Sequence, residues 1–263
     1  MLLSSTPIGL VGERKAVSLL VLAFYTVFFG LLGLLFANLP PDVPERVLWR
    51  MWTALSASYG VGFFALAAGW FWARWFAVGL GYSGLTLGTW GVLIAFVKGY
   101  AVDPTLIFFG ATHGLVTLLL QGQLMAAEFE GKPAWRERFN LDENGVARVR
   151  NSVTRAATSL LTLILFLLGP QQDRESLWLL GTVTLGVLGL LRLRSAGLLL
   201  IGLSGVATLA LSVLRAGHVS VASALGDPAV IFGLSAGTLL LWAVAPFAGP
   251  MARFLRDRPL PTL

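Results

Sequence analysis

One histidine, His113, lies deep inside a long uncharged run of this chain. Thr112 precedes it, Gly110 and Gly114 form a small-xxx-small pair around it, and Thr117, Gln121 and Gln123 continue the polar character of the run. Gly110, Gly114, Thr117 and Gln121 are spaced at four, three and four residues and so share one face of a helix. A neutral imidazole in such a place can ligate a pigment or haem iron, relay protons, or hydrogen-bond a neighbouring helix. His113 is therefore the candidate cofactor-binding residue, with Thr112, Thr117 and Gln121 as candidate substrate contacts. The residues single out no particular cofactor. Ligation of haem by two histidines is disfavoured, because His218 falls in an outer loop.

Other chemistries lack their parts. The chain has no cysteine, which removes disulfides and thiolate metal sites, and no metal site is expected. It has no carboxylate pair inside an apolar run, no HExxH and no phosphate-binding glycine loop. The stretch Asp142-Glu143-Asn144-Gly145 resembles part of a calcium loop, but the remaining ligands are missing and a turn is expected. Asp103-Pro104 and Asp227-Pro228 read as N-caps followed by proline at the first helical position. Gly84 and Gly88, with Gly81 and Gly91 nearby, favour close helix approach.

The elements that carry these residues follow from composition. Hydrophobic side chains make up 56% of the chain and charged ones 12%, with a mean hydropathy of +0.79. That balance lies outside the soluble globular range. The uncharged runs are close to the ~20 residues a helix needs to cross hydrocarbon, and they lack the alternation of a transmembrane barrel. The spacing predicts an all-α, polytopic membrane protein with eight spans: 16–38, 51–71, 76–97, 105–125, 152–168, 176–191, 196–214 and 229–247. The fifth and sixth are short for a full crossing. The first follows Arg14 and Lys15 but is too long for the core of a secretory signal, so it reads as a span.

Orientation follows from the basic residues. Arg14, Lys15, Arg74, Lys132, Arg136, Arg138, Arg148, Arg150, Arg155, Arg192, Arg194, Arg253, Arg256 and Arg258 fall on one side, fourteen in all. Arg46, Arg50, Lys98, Arg174 and Arg215 fall on the other, making five. The positive-inside rule puts the first side, with both termini, in the cytoplasm. The net charge of +6 then faces anionic lipid, and no nucleic acid is expected as a partner. Trp49 and Trp52 at one end of the second span, and Trp70, Trp72 and Trp75 at the other, read as an aromatic belt.

Three segments recur in order. Residues 45–49 resemble 174–178, Leu80-Gly81-Tyr82-Ser83-Gly84 resembles Ile201-Gly202-Leu203-Ser204-Gly205, and Asp103-Pro104 with the apolar residues after it resembles Asp227-Pro228. The organisation expected is two tandem four-helix repeats in parallel orientation, residues 1–125 and 152–263, related by a pseudo-twofold axis along the membrane normal. They are joined by a cytoplasmic interfacial linker, 126–151, in which Trp135 and Phe139 suit a short surface helix. The histidine is not duplicated, since its region in the second half reads Ser235-Ala236-Gly237. The functional expectation is a non-enzymatic membrane subunit, scaffold or assembly factor that binds lipid, pigment or other membrane proteins. A transporter or channel for a neutral or lipid-like solute is the alternative. Arginine far outnumbers lysine, which points to a GC-rich bacterial genome and the inner membrane.

Overall fold

A computed structural model of the chain describes residues 7–131, 142–170, 173–217 and 227–256, and side chains within those limits from residue 10 to residue 250. Among the described residues every regular element is helical: α1 (Pro7–Ala37), a 3-10 turn (Pro44–Leu48), α2 (Trp49–Ala68), α3 (Ala73–Val97), α4 (Pro104–Leu120), α5 (Gln123–Glu130), α6 (Glu143–Leu168), α7 (Arg174–Leu191), α8 (Ser195–Ala216) and α9 (Pro228–Arg256). Seven of these are individually long and apolar enough to cross a membrane, and α4 with α5 forms one further, bent pair. The chain is a helical, multi-pass membrane protein.

The fourth predicted span does not run through to Met125. Helix α4 stops at Leu120, Gln121 is extended, and Gly122 takes φ 100°, a conformation glycine adopts without strain. Helix α5 then leaves at 73° to α4. The freed carbonyls at the break are satisfied by arginines. Arg14 donates to Leu118 O at 3.1 Å and Gln121 O at 2.6 Å, and Arg74 donates to Leu120 O at 3.1 Å.

The helix that carries the fifth predicted span, α6, is longer than the sequence suggested. Asp142 does not open a turn; its Oδ1 accepts the Gly145 N–H at 2.6 Å and caps a 26-residue helix that absorbs most of the second half of the expected linker. At ~1.5 Å per residue the 26-residue α6 is long enough for a full crossing, whereas the 18-residue α7 stays at the short end of the range. Trp135 and Phe139 lie outside the described residues. Helix α6 is also the centre of the molecule: 72% of its apolar window is buried by protein, against 22–39% in the other six single spans.

Neighbouring helices pack antiparallel in steady register. Gly91 faces Leu106, Gly88 faces Gly110, Gly84 faces His113 and Gly81 faces Thr117, so α4 runs back along α3 over most of its length. Gly205 against Leu241 and Gly202 against Val244 do the same for α8 and α9. The two halves meet mainly through α3 and α6, with Gly79 set against Ala157. A twofold arrangement would pair α8 with α1 to the same extent, and among the described residues no comparable contact is found there. The tryptophans also divide differently from a belt. Trp70 is exposed, but Trp72 and Trp75 are buried. The indole N–H of Trp75 donates to Glu130 at 2.7 Å.

Candidate functional site

Of the sequence-predicted residues, Thr112, His113 and Thr117 fall on α4 and Gln121 just past its end, and the structure buries His113 and Thr117. His113 is 2% exposed and Tyr59 of α2 is fully buried. His113 Nδ1 lies 2.7 Å from Phe109 O, one turn earlier, so this nitrogen carries the proton and donates it. Nε2 therefore accepts from the Tyr59 hydroxyl at 2.5 Å. Thr112 turns toward α1. It donates to the carbonyls of Phe108 and Phe109, which makes Tyr25 the donor in the 2.7 Å contact between Tyr25 Oη and Thr112 Oγ1. The rings of Phe109, Tyr25 and Tyr59 close around the imidazole at 4.1, 4.7 and 5.6 Å between centroids.

Glycine makes room for this cluster. A Cβ on Gly84 would overlap the His113 ring, and one on Gly81 would overlap the Thr117 hydroxyl. Thr117 is buried and bonds back to His113 O at 3.0 Å. Gln121 stands apart at the helix end, where its amide donates to Tyr82 Oη at 2.8 Å. Chemically the cluster is a neutral relay from Tyr59 to His113 to the Phe109 carbonyl. Both imidazole nitrogens are engaged, leaving no lone pair for an axial ligand bond in this arrangement.

A second polar assembly sits where α3 and α6 begin. Arg74 and Glu130 form a buried ion pair, and Trp75 donates to the same carboxylate oxygen. Arg150 Nη1 lies 3.9 Å from the other oxygen. Arg74, Trp75 and Arg150 border a cavity of about 460 Å³ that also touches Tyr82, Gln121, Asn151, Thr154 and Arg155.

Farther along the same two helices lies a larger crevice of about 610 Å³ between α3, α6 and α9. Its walls are mostly apolar, but Ser83, Thr86, Thr158, Thr162, Ser235 and Thr238 contribute hydroxyls. The Ser83 side-chain oxygen is buried there without a hydrogen-bond partner, which a polar group in a closed apolar site does not tolerate cheaply. Arg155 joins the two spaces. It lines the smaller cavity, donates to Trp242 O at 2.9 Å, and lies 4.1 Å over the Trp242 ring, which walls the larger one.

No family model, curated protein or solved structure matches this chain.

Several of these residues were missed by sequence reasoning. Tyr25 and Tyr59 sit within apolar runs where a hydroxyl needs a partner, a signal available beside His113. Arg155 falls inside the fifth predicted span instead of before it, which is the usual mark of an intramembrane site. Glu130 gave no such signal, since it lies among other charges of the linker.

Proposed function

We propose that this protein is a non-enzymatic membrane scaffold or subunit that holds membrane lipid in the crevice between its two halves. The observation that carries the reading is the α3–α6–α9 crevice, which combines the volume of a ligand site, apolar walls, and a buried hydroxyl lacking a partner. The polar groups of His113, Thr112 and Thr117 on α4 are consumed in internal hydrogen bonds, which fits a packing role for them. Pigment bound at His113 would require the imidazole to leave Tyr59.

The full proposal has eight crossings, both termini in the cytoplasm and a bacterial inner-membrane location. Helix α4 lies antiparallel along α3, which supports an eighth crossing, and the fourteen-to-five distribution of basic residues supports the orientation. Two matches support an internal repeat. Asp103 and Asp227 cap their helices through the same bond, 2.8 Å to the N–H two residues on. Ser83 and Ser204 are both buried without partners. One observation favours transport of a neutral solute instead: the break between α4 and α5 is the kind of discontinuity that lines transporter sites.

Purification in mild detergent, followed by native mass spectrometry, tests the lipid reading. Wild-type protein is expected to carry lipid, and Thr238→Trp, which places an indole in the crevice from an exposed position, is expected to lose it. Equal lipid in both would reject the crevice as the site.

A further inference from the structure

Beside the crevice, along the same two helices, the smaller cavity carries charge mostly of one sign. Around the smaller cavity stand Arg74, Arg150 and Arg155, opposed among the described residues by a single carboxylate, Glu130. Arg74 spends Nη2 on Glu130 and Nη1 on the end of α4, while its Nε is buried without a partner among the described residues. Among the described residues Arg150 makes only its 3.9 Å approach to Glu130, and its side chain is 44% exposed. Arg155 uses one of its five N–H groups on Trp242 O. Among the described residues, three guanidinium groups thus face one carboxylate at the cavity, an excess of two positive charges.

The neutral groups around it are donors as well. Tyr82 accepts from Gln121 and so keeps its own O–H free to donate, and the Asn151 amide is exposed. The helix end that would repel an anion, the C-terminus of α4, already has its carbonyls bonded to Arg14 and Arg74.

The cavity and the apolar crevice are neighbours along α3 and α6, with Arg155 of the one lying over the Trp242 ring of the other. Asn151, Arg155, Thr158 and Thr162 are spaced at four, three and four residues along α6, one continuous face running from the charged end to the hydroxyl-lined end. From Arg155 to Thr162 the rise is ~10 Å at 1.5 Å per residue. An occupant of both spaces has an anionic head and an apolar tail.

We infer that the site binds an anionic glycerophospholipid, with its phosphate between Arg150 and Arg155 and an acyl chain in the α3–α6–α9 crevice. The inference rests on the lipid-holding reading above and adds the headgroup class. Guanidinium groups suit phosphate because their N–H fork matches two of its oxygens. Phosphatidylcholine also has a phosphate, but its choline cation faces the same two arginines, so an acidic or uncharged alcohol on the phosphate is selected.

The test uses the full chain reconstituted in bilayers of equal phosphatidylglycerol and phosphatidylcholine, then extracted for native mass spectrometry. Wild-type protein is expected to retain phosphatidylglycerol over phosphatidylcholine by about thirtyfold, with two arginines each acting near an anionic surface. Arg150→Gln, at a half-exposed position, is expected to cut that preference about fivefold. Arg150→Gln with Arg155→Gln is expected to abolish it, and Arg192→Gln, the same charge change away from the cavity, is expected to leave it intact. The inference is overturned if the double variant keeps the preference, or if Arg192→Gln lowers it as Arg150→Gln does. Displacement of the lipid by millimolar inorganic phosphate would likewise overturn it in favour of a free-anion site. Equal retention of the two lipids by wild type would overturn the headgroup assignment while leaving the crevice reading in place. Retention of neither would remove both.

Discussion

Gly84→Ala is the sharpest probe of how α3 and α4 are held together. The new Cβ would fall within the His113 ring. That ring is fixed by a 2.7 Å bond to Phe109 O and a 2.5 Å bond from Tyr59, with Phe109 and Tyr25 against its faces, so it has no free direction in which to swing. Two outcomes relieve the overlap. Either His113 leaves Tyr59, or α3 and α4 separate and the neighbouring contacts of Gly81 with Thr117 and Gly88 with Gly110 open with them. Overpacking of this kind costs ~1–3 kcal/mol, and loss of one intramembrane hydrogen bond adds ~0.6–2 kcal/mol. The expected destabilisation is therefore about 2–4 kcal/mol after partial relaxation. Gly114→Ala is the matched control, since its Cβ meets only Leu85 at an ordinary 3.5 Å and should change stability by under about 0.5 kcal/mol. Denaturant unfolding in micelles measures both. The obstacle can then be removed: His113→Ala in the Gly84→Ala background should restore part of the loss, a coupling read from the double-mutant cycle. If Gly84→Ala is as stable as Gly114→Ala, or if its cost is the same with and without the imidazole, the packing argument is wrong.

Other expectations follow from the remaining polar assemblies. Glu130→Gln leaves the Arg74 guanidinium buried without its counter-charge and should cost ~3–5 kcal/mol, read as a fall in thermal midpoint in detergent. Asp173, which caps α7, is partly buried in a way that works to raise its pKa, but hydrogen bonds from Ser176 and Arg215 and the charge of Arg215 outweigh this and hold it at about 2. Its folded pKa is below the ordinary carboxylate value, so its stabilisation is present above about pH 4 and lost as pH falls toward about 2. Asp173→Asn should flatten the acid limb of the stability profile, and the effect should be small because the side chain is 39% exposed. Reporters fused after Gly131 and at the C-terminus should both report the cytoplasm, and an outside signal from either would break the eight-crossing topology.

Spans and their approximate limits were legible in the sequence because hydrocarbon imposes a length and excludes charge. Apolar runs that meet both conditions have few alternative structures. The stop at Leu120 was not legible, since Gln121-Gly122 sits in an apolar context and the bend depends on Arg14, more than a hundred residues earlier, reaching its carbonyls. The start of α6 was hidden for the opposite reason. Residues 143–151 are polar enough to read as loop, yet their helix is capped by Asp142 and buries Val146 and Val149. At the site, the glycines of α3 and the face of α4 were readable as a close contact. Which ring filled the space was not, because Tyr59 comes from a helix whose pairing no local pattern encodes. The crevice is likewise a property of three helices drawn from both halves, and the clue within the sequence was the misplaced charge of Arg155.

The Arg74–Glu130 pair carries a consequence for biosynthesis. The two residues are 56 positions apart, and the intervening chain forms the rest of α3, all of α4 and the turn into α5. An arginine that will be enclosed therefore emerges from the ribosome well before the acid that neutralises it. Until Glu130 arrives, the guanidinium must stay among lipid headgroups and keep the start of α3 at the membrane surface. Docking of α5 then acts as a latch on the first four helices, and it closes before α6 is made. The second half is thus built against a surface whose charges are already settled, which orders assembly from the N-terminal half outward.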